Sequence, residues 1–171
     1  FEDLLRIRSS SPLVRLRKLV VFDRFLVRLT QNQPDAWVVK GGFALQLRLG
    51  NRARTTKDID VLLTKPSADI HQVLVRAALL DVWDWFQFEV ERPTDDPVVH
   101  EAGGVRFQVQ GLLDGRRFET FHIDVGQGDE LLEPADISTT STLLAFAGIP
   151  STEIPCYPLP QQVAEKAHAY T

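Results

Sequence analysis

Thr56-Lys57-Asp58-Ile59-Asp60-Val61-Leu62-Leu63 sets an apolar strand directly behind two acidic residues. Side chains alternate faces along a strand, so Asp58 and Asp60 share one face while Ile59, Val61 and Leu63 take the other. Two carboxylates on one face at the start of such a strand mark either a solvent-exposed strand end or a cation site. The chain repeats the device further on, where Phe121, Ile123 and Val125 alternate with His122 and Asp124. Pairing the two strands would set Asp124 beside Asp58 and Asp60. Like charges about 4 Å apart repel by on the order of 4 kcal/mol at an effective dielectric of 20. Three such pairs would strain a domain stable by only about 5–15 kcal/mol. Protonation relieves the repulsion, and so does a divalent ion that prefers oxygen ligands, Mg²⁺ or Mn²⁺.

Upstream of this strand, Trp37-Val38-Val39 is a short apolar run that ends at Gly41-Gly42. Phe43 to Leu49 reads as a short helix closed by Gly50, a common terminator. Two glycines before a helix let the backbone come close to a ligand, and the N–H groups of a helix start suit a phosphate. A plain tight turn is the alternative reading. The order strand, Gly-Gly, short helix, acidic strand links the two signals.

Farther out, Ser11-Pro12 offers a hydroxyl cap and a proline for the first helical position. Leu13, Leu16, Val20, Phe22, Phe25, Leu26 and Leu29 then form an amphipathic stripe running to about Asn32, with Arg15, Arg24 and Arg28 expected away from the core. Ser67 is expected to cap a second long helix reaching about Trp85, with Ile70, Val73, Leu74, Ala77, Leu80 and Val82 as its core stripe. Phe86–Val90 follows, then a loop through Pro93, Asp95, Asp96 and Pro97. Val105–Leu112 and Phe118–Val125 flank Asp114-Gly115, a strong hairpin signal. Residues 133–160 are rich in turns around a short apolar piece, Leu143–Ile149, and a last helix runs from Pro160 to Tyr170. Helices alternating with strands, plus one hairpin, predict an α/β (α+β) domain with a mixed sheet flanked by helices. The expected division is a helical segment over 1–36, a core over 37–135, and a linker with the first helix of a C-terminal lobe over 136–171.

With 171 residues, 44% apolar and 25% charged, the chain has the composition of an ordinary globular protein. No apolar run approaches the roughly 20 residues that span a bilayer, so no membrane partner is expected and a cytoplasmic location fits. The single Cys156 excludes an internal disulfide and a multi-cysteine zinc site. Residues 1–57 carry 12 Lys/Arg against 4 Asp/Glu, and residues 58–171 carry 7 against 19. A basic surface for phosphates and an acidic remainder for metal would explain that split, as would a solvated basic helix face. Arg48, Arg52 and Arg54 stand close in sequence to the acidic strand and are expected to meet RNA or triphosphate. His71, His100 and His168 have no spacing that makes a metal set, and His122 is expected to be an exposed strand histidine. Trp83, Trp85 and Phe86 are expected in a core or an interface. Methionine is absent, and the chain starts at Phe1 and stops at Thr171 inside a predicted helix, so both ends are read as cut.

The segment Val39-Lys40-Gly41-Gly42-Phe43-Ala44-Leu45, followed by Arg54-Thr55-Thr56-Lys57-Asp58-Ile59-Asp60, resembles the signature of the AbiEii/AbiGii-type nucleotidyltransferase toxins. These are the toxin half of type IV toxin–antitoxin pairs within the polymerase-β-like nucleotidyltransferase superfamily. Leu159-Pro160-Gln161-Gln162-Val163-Ala164-Glu165-Lys166-Ala167-His168-Ala169 is similar to a second helix of that family, and the resemblance covers most of residues 37–171. It implies a polymerase-β-like fold in which Gly41 and Gly42 hold a triphosphate and Asp58 and Asp60 bind metal. It also implies that Asp124 is the third carboxylate, placing or deprotonating the attacking hydroxyl, and that Lys166 reaches the phosphates. Glu165 would take a structural or metal-adjacent role. Thr56 and Lys57 stand next to the expected phosphates and are placed either to contact them or to cap the strand. The implied activity is transfer of a nucleotide from an NTP to RNA, with the 3′ end of tRNA as the expected acceptor, translation as the process stopped, and an antitoxin protein as partner. Two alternatives stay open: transfer to a small molecule of the antibiotic type, and a binding module that kept the fold without catalysis. The usual Gly-Ser of the superfamily is Gly-Gly here, which removes a serine contact to phosphate. The family also continues into a further helical region with another basic–acidic motif, beyond the end of this chain.

Overall fold

The computed structural model describes residues 1–93 and 104–170; Asp95, Asp96, Pro97 and His100 lie outside the described residues. In chain order the elements are α1 (Glu2–Arg8), α2 (Leu13–Asn32), β1 (Trp37–Lys40), α3 (Gly41–Leu49), β2 (Ile59–Leu63) and α4 (Ile70–Ala78). Next come β3 (Phe86–Val90), β4 (Val105–Leu113), β5 (Arg116–Gln127), β6 (Asp136–Thr139), β7 (Glu153–Cys156) and α5 (Leu159–Ala169). The strands form one mixed sheet in the order β3-β4-β5-β2-β1-β7-β6. Strand β2 runs parallel to β5 and antiparallel to β1, and β7 runs parallel to β1. The α/β fold with a mixed sheet is thus as the pattern of elements predicts.

One sheet face is the core face. Ile59, Val61 and Leu63 of β2 join Phe121, Ile123 and Val125 of β5 and Phe107 and Val109 of β4 beneath α2 and α4. Phe22 of α2 sits edge-on to both Phe43 of α3 and Phe121, with ring centres 5.2 Å apart in each case. Among the described residues the other face carries a small apolar cluster of Val38, Leu62 and Tyr157, with Leu131 and Ala135 packed against it. Its polar positions are therefore available for chemistry.

Several local expectations change. Helix α2 is buried nearly all round from Val20 to Leu29, so Arg24 and Arg28 lie inside at 4% and 1% exposure rather than in solvent. Asp84 makes this tolerable: Arg28 grips both its oxygens at 2.9 and 2.7 Å and also donates to the carbonyls of Arg24 and Phe86. Buried charges persist only when paired and hydrogen-bonded in this way. Helix α4 starts at its cap Asp69, whose carboxylate accepts from Gln72 N–H, while Ser67 only closes the preceding turn. It stops at Ala78 instead of reaching Trp85, because residues 81–85 fold as turns that deliver Asp84 to Arg28. Asp81 accepts from Trp83 N–H and Asp84 from Phe86 N–H. In consequence Trp83 and Trp85 are 86% and 65% exposed, with only Phe86 of that trio in the core. Ser11 does not cap α2 but donates to Asn51, and Pro12 occupies the cap position. Residues 136–156, read as linker, supply β6 and β7 to the sheet beside β1.

Candidate active site

Antiparallel pairing sets Lys40 of β1 opposite Asp60 of β2, parallel pairing sets Asp60 opposite Asp124 of β5, and antiparallel pairing sets Asp124 opposite Arg106 of β4. The four side chains therefore form a row across four adjacent strands on the face away from the core, cation–acid–acid–cation. Asp58 joins from the turn just before β2, where its Oδ1 accepts from His122 N–H at 3.3 Å and lies 3.4 Å from His122 Nδ1. The three carboxylates predicted from sequence converge, and His122 borders them rather than standing apart.

The electrostatics record that convergence. Burial first, then the charges of Asp124 and Asp58, push the Asp60 carboxyl from 3.8 up to about 6, against the opposing pull of Arg106 and Lys40. Arg106 clasps Asp124 with two bonds of 2.7 Å, and its Nη2 lies 3.9 Å from Asp58 Oδ2. Those contacts raise the guanidinium's own proton affinity. Asp60 is thus half-protonated near pH 6 and mostly ionised at neutral pH. The three carboxylates are oxygen donors of the chemical kind Mg²⁺ takes, but among the described residues no group of three or more His, Cys, Asp or Glu stands placed to hold a metal ion.

The glycine turn abuts the carboxylates. Gly41 has φ +64°, and a Cβ there would collide with Oδ2 of Asp60, so only glycine lets the turn close over that carboxylate. At Gly42 an added Cβ would lie 3.2 Å from Thr56 Oγ1, which is engaged with the carbonyl of Asp58. Helix α5 clamps the turn from outside: buried Gln162 donates to the Gly41 carbonyl at 2.9 Å. Tyr157 donates to Glu165 at 2.5 Å, and Lys40 lies over the Tyr157 ring with its Nζ 2.8 Å from Asp129 and 4.0 Å from Glu165. Burial, then the bond to Glu165, pushes the Tyr157 phenol well above its ordinary range.

Lys57 and Lys166 are exposed, as are Arg52 and Arg54. Arg48 is not available as expected, since it bonds to Tyr157 carbonyl at 2.7 Å and Asp136 at 2.8 Å, fastening α3 to the far strands. Sequence reasoning gave no role to Arg106, to Lys40 or to Gln162. Of these, Lys40 carried a readable signal, because it immediately precedes the glycines on a strand.

A mixed sheet with a glycine turn entering a helix beside an acidic strand defines the class, a nucleotidyltransferase fold. The chain belongs to the family described as "Nucleotidyl transferase AbiEii toxin, Type IV TA system", whose model matches residues 24–171. Among solved structures it is similar to JHP933 from Helicobacter pylori, with 14% identity and TM-score 0.47 over 86% of this chain and 55% of that one. A second H. pylori structure, of a candidate nucleotidyltransferase, shows 14% identity and TM-score 0.48 over 86% and 56% of the two chains. The chain thus spans about half the length of these structural relatives. No curated protein matches it. Among the described residues no helix is long and apolar enough to cross a membrane.

Proposed function

We propose that this protein transfers a nucleotide from an NTP to an RNA acceptor, the 3′ end of tRNA, and so blocks translation in the cytoplasm until an antitoxin counters it. The observation that carries the reading is the register that aligns Asp60 with Asp124, with Asp58 and the Gly41 turn against them. The acceptor hydroxyl attacks the α-phosphorus, the bond to the bridging oxygen breaks, and pyrophosphate leaves. Asp58, Asp60 and Asp124 would hold Mg²⁺ or Mn²⁺, which supplies stabilisation of the charge that develops on the phosphoryl oxygens. Asp124 positions the hydroxyl and takes its proton, and the N–H groups at the start of α3 receive the triphosphate. Thr56 and Lys57 stand at its edge, and Lys166 reaches the phosphates from α5. Most of the catalysis is positioning and electrostatics, which suits a site built from carboxylates and glycines.

The test incubates the full chain with each α-labelled NTP and either tRNA or an aminoglycoside. Label is expected on tRNA, and Asp60→Asn is expected to reduce it at least about a hundredfold, the scale of losing one preorganised electrostatic group. Label on the aminoglycoside alone rejects the RNA acceptor. No label on either, with toxicity unchanged in Asp60→Asn, replaces catalysis by a binding role.

A further inference from the structure

We propose that Arg106 is a resident cation of the carboxylate site, which a divalent ion must displace from Asp124 and which then becomes available to the phosphates of the incoming nucleotide. This rests on the reading of Asp58, Asp60 and Asp124 as metal ligands. Both oxygens of Asp124 face the guanidinium at 2.7 Å, and Nη2 leans to within 3.9 Å of Asp58. The group therefore stands between two carboxylates that a shared ion would have to bridge. Two cations cannot occupy that space together without repulsion.

A second arginine in the same fold shows what a permanent pair looks like. Arg28 is 1% exposed, holds Asp84 with two bonds, and is tied to two backbone carbonyls besides. The Arg106 side chain is 33% exposed and is held by side-chain carboxylates alone among the described contacts. Leaving Asp124 moves it into solvent rather than into a buried vacancy, so the exchange is reversible. A guanidinium freed beside the site has the planar fork that suits phosphate oxygens. Metal entry is thereby coupled to nucleotide arrival: the nucleotide offers the guanidinium a new anion at the moment the ion takes the old one.

The experiment reads Mn²⁺ binding to the full chain by electron paramagnetic resonance, without nucleotide, in the wild type and in Arg106→Gln, Arg106→Ala and Asp124→Asn. Removing the competing charge is expected to tighten Mn²⁺ binding about tenfold or more in both arginine variants, a modest share of a close charge–charge interaction at a partly exposed site. The glutamine variant keeps the length of the side chain and guards against a folding defect, which a melting curve checks. A non-hydrolysable NTP analogue is expected to narrow the gap between wild type and variants. Equal or weaker Mn²⁺ binding in the arginine variants, with binding lost in Asp124→Asn, overturns the exchange and leaves the metal site standing. Mn²⁺ binding that survives Asp124→Asn removes the metal site itself, and the exchange with it.

Discussion

Gly41 carries two demands at one residue. Its φ of +64° is strained for any residue with a Cβ, and the space a Cβ would need is filled by the Asp60 carboxylate. The left-handed conformation alone costs about 1–2 kcal/mol for other residues. Gly41→Ala is therefore expected to lower the melting temperature by roughly 2–8 °C at this chain length, the product of that cost and about 2–4 °C per kcal/mol. By pushing Asp60 out of line it is also expected to reduce nucleotide transfer at least about a hundredfold, the scale of a misplaced catalytic group. Gly42→Ala meets only the Thr56 hydroxyl at 3.2 Å, with no positive φ, and is expected to stay within about tenfold of wild type. Single-turnover assays with labelled NTP and melting curves on both variants check this; equal activity in the two would show that the close approach is not required. At this scale the sequence was informative about residue type but not about reason. The glycines stood out as a phosphate turn, while their closeness to Asp60 depends on β1 and β2 pairing so that Lys40 meets Asp60.

Between elements, the readable part was periodicity and the hidden part was register. The alternation in β2 and β5 puts Asp60 and Asp124 on one face, since side-chain direction follows from strand geometry, whereas Asp58 lies in the turn before β2 and joins them through its contacts with His122. Arg106 was half legible: Val105, Phe107 and Val109 alternate with Arg106, Gln108 and Gln110, which puts it on the polar face of its strand, but its partner depends on register. The Asp114-Gly115 turn pairs Leu113 with Arg116, and an unbroken ladder from there would set Arg106 opposite Ile123, on the core side. A bulge between Gly111 and Leu112 shifts the register by one residue, which turns Arg106 onto the acidic face opposite Asp124. Gly111, a lone glycine within the strand at the bulge itself, is the local signal for it. The tie between α2 and the turn before β3 is long-range: Arg28 and Asp84 lie 56 residues apart and both are 1% exposed. Asp84→Ala leaves Arg28 buried without its partner and is expected to destabilise the protein by about 3–5 kcal/mol in urea unfolding. The double variant Arg28→Met, Asp84→Ala is expected to recover part of that loss, because Arg28 is then no longer stranded, while Arg24 loses its 3.5 Å contact with Asp84 and keeps Asp23 at 3.2 Å. A single variant within about 0.5 kcal/mol of wild type, the ordinary scatter of surface changes, would contradict the assignment of this pair as structural.

For the whole molecule, the acidic face makes stability a function of pH and divalent ion together. The folded chain raises the Asp60 carboxyl to about 6 from its ordinary 3.8, chiefly by burial and then by Asp124 and Asp58. Between those values the folded state keeps a proton that the unfolded state releases, so stability falls as pH rises through the window from about 4 to 6. Above it the full cost of the ionised group is present, on the order of 3 kcal/mol. A divalent ion favours the ionised form and offsets that cost, whereas below pH 5 it must compete with the proton. Millimolar Mg²⁺ is therefore expected to raise the melting temperature by several degrees at pH 8 and by much less at pH 5, on the scale of about 2–4 °C per kcal/mol for a chain of this size. Asp60→Asn should melt higher than wild type at pH 8 without metal, because the buried charge is gone, and should lose most of the response to Mg²⁺. Melting curves of both proteins at the two pH values, with Mg²⁺ and with a chelator, decide the matter. A Mg²⁺ response of equal size at pH 5 and pH 8, or one retained in Asp60→Asn, would place the ion somewhere other than this row of side chains.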